Sequence, residues 1–332
     1  MGTAIPLIRE LLSTDGYVPR FSRHGLGNIL ADIFDDEILG RVDSFPHLPR
    51  GRTLIILGDF SGHHRGQHFD TYSFLVLDLD CNGDWLGAQR HFRQEIFRSA
   101  RRMSFKGLND IQRRNALIPF LRMAFRIEGC LILFAISKAG GSLFGGASDL
   151  EEENALLSPW KPAVQERLLR IVHLSAFTLS GLSAPNQDLL WIIDQDDIAS
   201  NVTQLTQLTE VFARVFSNYA SHGLRHVRCG TTASDDGSLY LEDLASIADL
   251  TAGALGEICT GFINQSRFPV RGIVAPFPKG MTWKSRLISS WMAYGMTPLR
   301  RLTCIIELRT SSRRTRVTML KWHAIRGEVF VP

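Results

Sequence analysis

Three aspartates stand where a carboxylate could do chemistry. Asp59 follows the apolar run Thr53–Gly58, Asp194 follows the apolar run Leu189–Ile193, and Asp249 interrupts an apolar stretch with helical spacing. Carboxylates are hard oxygen ligands, and a cluster of them repels itself unless a cation neutralises it. Two divalent ions held in this way can activate a water molecule and stabilise the leaving oxygen of a phosphodiester. If the three side chains converge, the sequence predicts a site for one or two Mg²⁺ or Mn²⁺ ions.

Each acid also has an ordinary structural explanation. A single aspartate after a strand is more often a turn former or a helix cap than a metal ligand. Asp196 and Asp197 precede a helix that begins near Ser200, and they suit the positive end of its dipole. Asp249 is harder to explain in this way, because an unpaired carboxylate is costly to bury among apolar side chains.

A histidine cluster follows Asp59 directly. The segment Gly62-His-His-Arg-Gly-Gln-His68 holds three histidines in seven residues. Histidine can bind a metal or transfer a proton, but this spacing matches neither HExxH nor a zinc-finger tail. His63 or His64 could position a substrate or shuttle a proton, and exposed histidines without a role are the alternative for at least two of the three.

The elements that must carry these residues alternate between strand and helix. Apolar runs predict strands at Thr53–Asp59, Tyr72–Leu79 and Cys130–Ile136, with a further strand near Trp85. Helices are expected at Arg90–Met103, Ile111–Arg126, Lys161–Leu179 and Glu242–Thr260, and the last of these carries Asp249. The pattern favours an α/β fold whose mixed sheet is antiparallel in its first strands and then parallel, with crossover helices. It divides the chain into a helical N-terminal extension (1–50), a core (51–266) and a basic C-terminal helix and hairpin (267–332).

The net charge of +4, from 37 basic and 33 acidic residues, hides an uneven distribution. Residues 90–126 hold ten basic side chains against two acids, and residues 267–332 hold thirteen against two. Such regions suit contact with a nucleic-acid backbone, although a solvated surface or a face for an acidic protein partner would have the same composition. The candidate phosphate contacts are Arg90, Arg93, Arg98, Arg101, Arg102 and Lys106 in the first region and Arg300, Arg301, Arg309, Arg313, Arg314 and Arg316 in the second. Acids are concentrated elsewhere, as in residues 26–42, where Asp32, Asp35, Asp36 and Glu37 occupy the polar positions of a helical pattern.

Composition excludes several other classes of protein. Of the 332 residues, 45% are hydrophobic and 21% charged, which is typical of a globular chain and not of a disordered or fibrous one. The five cysteines include no CxxC pair, which argues against a disulfide framework or a zinc knuckle and favours a reducing cytoplasm. No signal pattern and no apolar run of about 20 residues is present, so we expect no membrane partner. The oligomeric state stays open.

Three short motifs occur in an order that is familiar. They are Gly58-Asp-Phe-Ser-Gly62, Trp191-Ile-Ile-Asp-Gln-Asp196 and Ile247-Ala-Asp-Leu-Thr-Ala-Gly-Ala254. Together they resemble an uncharacterised prokaryotic family within the ribonuclease H-like superfamily, over roughly Thr53 to Thr260. The resemblance implies a metal-dependent nuclease or strand-transfer protein in which Asp59, Asp194 and Asp249 bind the metal, with Asp196 as an alternative to Asp194.

One departure from that pattern opens a second interpretation. Such families often carry a glutamate before a lysine after the second group of strands, and here Ser104-Phe-Lys-Gly107 occupies that place. Asp110 is the nearest acid that could substitute for it. The alternative is therefore a catalytically inactive subunit on the same fold that binds nucleic acid or protein, for example in a defence or mobile-element complex.

A third interpretation is a sugar-kinase-like protein that binds ATP. Gly58–Gly62 also resembles the first phosphate loop of the sugar-kinase and actin superfamily. The second loop that this group needs has one candidate, Gly140–Gly146, and that segment lies in the wrong order relative to the acids.

Overall fold

The computed structural model describes residues 51–62, 66–143, 156–220, 222–266, 268, 276–294, 297–309, 314–320 and 322. The expected N-terminal extension, together with His63, His64 and Arg313, lies outside these ranges.

Seven strands of the described residues form one mixed sheet in the order β5-β4-β1-β2-β3-β6-β7. They are β1 (Thr53–Ser61), β2 (Phe69–Asp78), β3 (Gly129–Ser137), β4 (Asp188–Ile193), β5 (His226–Thr231), β6 (Leu299–Arg309) and β7 (Arg314–Met319). Strand β2 runs antiparallel to both β1 and β3, whereas β1, β4 and β5 are parallel to one another. Strand β6 is parallel to β3, and β7 is antiparallel to β6, so these two strands extend the same sheet. The expectation of an α/β fold with a mixed sheet is confirmed.

Helices cover both faces of the sheet. They are α1 (Gly83–His91), α2 (Ile111–Ala124), α3 (Pro162–Leu182), α4 (Val202–Phe216), α5 (Tyr240–Asn264) and α6 (Trp283–Ala293). Helices α3 and α4 pack on one face in a single apolar cluster, and α1, α2, α5 and α6 pack on the other. No helix among the described residues combines the length and apolar character needed to cross a membrane.

Alternation along the strands decides which face each acid meets. On β1, Leu54 and Ile56 pack against α3 and α4, whereas Ile55 and Leu57 pack on the side of α5. Successive side chains of a strand point to opposite faces, so Asp59 continues the second series. By the same rule Asp194 continues the series of Ile192 on β4. Both acids are therefore directed to the face covered by α5, which carries Asp249.

The segment after β2 is where local sequence reasoning was wrong. Trp85 lies in helix α1 and not in a strand, and the expected helix over residues 90–103 ends as a π-helical turn, Phe92–Ile96. Trp85 is not part of a strand because a polar turn takes the chain out of the sheet directly after β2. Asp78 accepts a hydrogen bond from the Asp80 amide at 3.0 Å, and the Asn82 side chain donates to the Asp78 carbonyl at 2.7 Å.

Candidate functional site

The carboxyl edge of the two central parallel strands brings the predicted acids together. Gly58 of β1 and Ile193 of β4 form the last registered pair, and Asp59 and Asp194 are the next residues of the two strands. Helix α5 lies across the neighbouring strand β2. Its position is fixed by a 3.1 Å hydrogen bond from the Thr71 hydroxyl to the Ala252 carbonyl, less than one turn beyond Asp249. The acids thus come from three elements that are remote in sequence.

The surroundings of these carboxylates disfavour their charged forms. Burial raises the pKa of Asp59 well above its usual value, and the negative charges of Asp249 and Asp194 raise it further. Burial also raises the pKa of Asp249, although a 2.7 Å hydrogen bond from the Phe105 amide acts in the opposite direction. Carboxylates whose charged forms disfavour one another in this way would be relieved by a bound cation.

A positive charge already lies in this cluster, and it belongs to Arg102. Its Nη1 is 2.9 Å from Oδ2 of Asp194 and 4.0 Å from Oε2 of Glu242. Partial burial acts to lower the pKa of Arg102, but Asp194 and the neighbouring acids outweigh it and raise the pKa above its usual value. The sequence predicted Arg102 as a phosphate contact, and the structure places it among the acids.

Glu242 is the site residue that sequence reasoning missed. It lies seven residues before Asp249 on α5, so the two carboxylates share one face of the helix. Its Oε2 is buried and accepts no hydrogen bond from the described residues. The spacing of seven was the available signal, but Glu242 stands in the polar first turn of its helix, where acids are common for other reasons.

The donor set suits a hard divalent ion, because Asp59, Asp194, Glu242 and Asp249 offer only carboxylate oxygens. One of these oxygens, Oε2 of Glu242, accepts no hydrogen bond from the described residues, although Arg102 Nη1 lies 4.0 Å away. Among the described residues, no three His, Cys, Asp or Glu side chains stand close enough together to hold one ion in their present positions. In the cluster shown, Arg102 offsets part of the negative charge, through Asp194 at 2.9 Å and Glu242 at 4.0 Å.

The short segment Arg102–Lys106 is held against α5 at a glycine. The Phe105 ring rests over Gly253, where a Cβ atom would lie closer than 3.0 Å to three atoms of that ring and its stem. The Lys284 ammonium of α6 donates to the Phe105 carbonyl at 2.9 Å and lies 4.0 Å from the ring centre. The glycine of the Ile247–Ala254 motif is therefore explained by close packing that lets the Phe105 amide reach Asp249.

We expect Gly253→Ala to destabilise the protein although alanine is the better helix former. The added methyl group forces Phe105 away, and overpacking of this kind costs about 1–3 kcal/mol, against a helix-propensity gain of up to about 1 kcal/mol. Urea unfolding measures the difference. Gly256→Ala, one turn later on α5, is the matched control, because its Cβ would meet its nearest atom at an ordinary 3.5 Å. Equal stability of the two variants would contradict the packing argument.

The alternative ligand Asp196 is engaged elsewhere. Its carboxylate lies 2.6 Å from Arg167 Nη2 and accepts a hydrogen bond from the Ile198 amide at 2.9 Å. Arg167 also pairs with Asp197 at 2.5 Å. These contacts match the structural explanation of the two acids as groups that shape the approach to α4. His63, the predicted proton carrier, is not among the described residues.

The first basic stretch separates into residues with different environments. Arg98 pairs with Glu95 at 2.9 Å and Arg101 with Asp110 at 3.1 Å, and both arginines are exposed. Lys106 is exposed as well, and its charge is felt at Asp249. Asp110, the suggested substitute acid, also accepts hydrogen bonds from the first backbone amides of α2, so it serves as a helix cap.

Arg93 is a clear correction within that stretch. Its guanidinium pairs with Asp243 in the protein interior, where the two side chains are only 9% and 0% exposed. Arg93 Nε donates to Asp243 Oδ2 at 2.8 Å, and Arg93 Nη1 donates to the carbonyls of Ser99 and Arg101 at 2.7 and 3.0 Å. A side chain engaged in this way is a structural clamp, so the expectation that Arg93 contacts phosphate is wrong.

The second basic stretch lies farther along the same edge of the sheet. Arg314 begins β7, and the Arg316 Nε is 3.4 Å from Oε2 of Glu307 on β6. Strand β7 is four places from β1, which at the usual strand spacing is about 19 Å. Arg313 is outside the described residues. The structure therefore does not bring the C-terminal arginines to the acids.

Comparison with known proteins adds no further assignment. No protein-family model matches this chain, and a search among curated proteins finds no match. What the site can do follows from its own residues.

Proposed function

We propose that this protein is a divalent-metal-dependent nuclease with a ribonuclease H-like core, which hydrolyses phosphodiester bonds of DNA or RNA. The observation that carries the proposal is the meeting of Asp59, Asp194 and Asp249 at one sheet edge, where burial, and then the charges of Asp249 and Asp194, raise the pKa of Asp59. The sheet is antiparallel in its first three strands and parallel between β1 and β4. This arrangement supports the resemblance of the chain to the ribonuclease H-like superfamily.

Each residue has a definite part in this proposal. Asp59, Asp194 and Asp249 would hold Mg²⁺ or Mn²⁺, and Glu242 supplies a fourth carboxylate on the same side of α5. Such an ion, when bound, activates water and stabilises the leaving oxygen. Arg102 and Lys106 would orient the phosphate next to the acids, because guanidinium and ammonium groups bind phosphate oxygens directly.

In this proposal, further basic side chains contact the nucleic-acid backbone beyond Arg102 and Lys106. The exposed Arg98 and Arg101 continue the basic surface from the acids, and the arginines at β7 lie along the same edge. Contacts of this kind position the substrate without selecting its sequence. The proposal therefore predicts strong dependence of binding on salt and weak dependence on base sequence.

Cleavage assays with paired variants test the proposal. Purified protein is incubated in Mn²⁺ or in EDTA with single- and double-stranded DNA and RNA, and products are resolved on denaturing gels. We expect cleavage in Mn²⁺ that Asp194→Asn reduces by more than about tenfold, since loss of a metal ligand costs at least as much as loss of an outer partner. Asp196→Asn is the matched control and should retain activity. The reverse order would assign the ligand to Asp196, and cleavage that survives in both variants would refute the metal site.

A second function is favoured by one observation, the contact between Arg102 and Asp194. A chain that neutralises its own acids can be a binding subunit without catalysis, in a defence or mobile-element complex. The absence of a glutamate before Lys106 agrees with this alternative. Binding of nucleic acid that persists in EDTA, with no turnover of any of the four substrates, would favour it over the nuclease.

A further inference from the structure

An apolar groove lies on the face of α1 and α2, away from the acids. Its volume is about 660 Å³. Phe92, Met123 and Phe125 form buried parts of its lining, and Ile96 contributes a side chain that is 45% exposed. Ile96 continues the apolar lining to the rim, so an element that covered the groove would also remove this side chain from water.

The charges around this groove are positive. Arg122 and Arg126, both exposed, belong to its lining, as does the exposed His91. A groove with an apolar floor and basic sides fits an amphipathic helix whose polar flanks are acidic, because both kinds of surface are then matched.

One segment of the chain has this chemistry. In residues 26–36, the first part of the segment 26–42, Leu26, Ile29, Leu30 and Ile33 recur at spacings of three and four, which places them on one face of a helix. Asp32, Asp35 and Asp36 fall on the other positions, and Arg41 is the basic residue of the segment. The net negative charge of this segment is opposite to the net positive charge of residues 90–126, which supply most of the groove lining.

The described chain begins against the turn that leads into α1, the first helix of the groove. The Gly51 amide donates to the Asp78 carboxylate, and the Arg52 amide donates to Asp80 at 2.8 Å, directly before α1. On the other side, Asn82 accepts a hydrogen bond from the Glu128 amide at 2.9 Å, two residues beyond Arg126 of the lining. Residues 43–50 can span up to about 26 Å when extended, so residues 26–42 can reach the groove from this start.

We propose that residues 26–42 dock in the groove of the same chain as an amphipathic helix, with their apolar face on Ile96 and Phe125 and their acids toward Arg122 and Arg126. This interaction does not depend on the nuclease proposal, since the groove contains none of the acids. Docking would cover the exposed Ile96 and connect the N-terminal fifty residues to the body of the protein.

Photo-crosslinking in the full-length chain tests the docking. Ile96 is replaced by p-benzoylphenylalanine, the protein is irradiated, and the crosslinked peptides are identified by mass spectrometry. We expect a crosslink to a peptide from residues 26–42 within a species of monomer mass. The same probe at Val202, which is 78% exposed on α4 on the opposite face, is the control and should not give this peptide. A crosslink within a dimer, to any other segment, or no crosslink would overturn the proposal.

Charge reversal provides a second measurement. Asp35→Lys combined with Asp36→Lys should reduce the yield of the crosslink by at least about fivefold, and addition of Arg122→Glu and Arg126→Glu should restore it. Asp15→Lys, a single charge reversal outside the segment, should leave the yield unchanged. If the crosslink yield were the same in the wild type, the charge-reversed variant and the compensated variant, the acids would not contact these arginines.

Discussion

Replacing Asp59 by asparagine should abolish metal-dependent cleavage and, at neutral pH, stabilise the folded protein. Asparagine has the same shape but lacks the charge that holds a divalent ion, so we expect cleavage to fall by more than about a hundredfold. The stability gain has a separate cause. Burial and the charges of Asp249 and Asp194 disfavour the ionised form of Asp59, and asparagine removes that penalty.

The dependence of this gain on pH has a definite sign. The pKa of Asp59 in the folded protein is raised above its usual value of 3.8, so the folded state binds this proton more tightly than the unfolded chain does. The penalty is absent below the unfolded pKa and grows as pH rises through the folded pKa. Asp59→Asn should therefore unfold at a temperature higher by roughly 2 °C or more at pH 7 and at the wild-type temperature near pH 4.

Two measurements check this prediction independently. Gel assays in Mn²⁺ report the loss of cleavage, and calorimetry in a metal-free buffer between pH 4 and 7 reports the stability. Asp197→Asn, an exposed acid paired with Arg167, is a control that should show no comparable gain. If Asp59→Asn lowered the unfolding temperature at pH 7, the carboxylate would be stabilising the fold and the description of a repelling cluster would be wrong.

Arg93→Met should destabilise the protein by about 3–5 kcal/mol, the usual cost of leaving one partner of a buried ion pair without the other. Asp243 is fully buried and would keep Gln89 as a hydrogen-bond donor, at 2.8 Å, but no guanidinium. The carbonyls of Ser99 and Arg101 would lose their donor as well. Because Ser99 and Arg101 lie just before Arg102 in the chain, the variant should also weaken the ion pair between Arg102 and Asp194.

A matched control and a rescue sharpen this test. Arg98→Ala removes the exposed pair with Glu95 from the same stretch and should cost less than about 1 kcal/mol. Arg93→Met combined with Asp243→Leu removes both buried charges and should recover much of the loss. Urea unfolding measures all three variants. Similar costs for Arg93→Met and Arg98→Ala would contradict the buried clamp.

The strand ends of the site could be predicted from sequence because their signals are local. Buried parallel strands are continuous apolar runs, so β1 and β4 were recognisable, and the acid at each end followed from the run. Asp249 was noticeable because it interrupts an apolar helix face. Whether Asp59 and Asp194 converge depends on strand order, because in an α/β sheet the carboxyl ends of adjacent parallel strands lie together.

The part of the site that could not be predicted depends on contacts between distant residues. Arg102 and Asp194 are 92 positions apart, and nothing in the composition of residues 90–106 distinguishes the arginine that meets an acid from those that face water. Arg93 shows the same limit, since its partner Asp243 is 150 positions away. Trp85 was misassigned because its aromatic character favours a strand, whereas the turn at Asp78 and Asn82 starts a helix.

The contact between Arg102 and Asp194 has a consequence for how the protein is made. A chain that depends on an ion to offset its acids cannot finish folding until that ion arrives. Here the offsetting charge is part of the polypeptide, so maturation and metal loading can be separate events. Under the proposed function, newly synthesised protein would persist in an inactive form while free divalent ions are scarce, and the ion would set the time of activity and not the yield of folded protein.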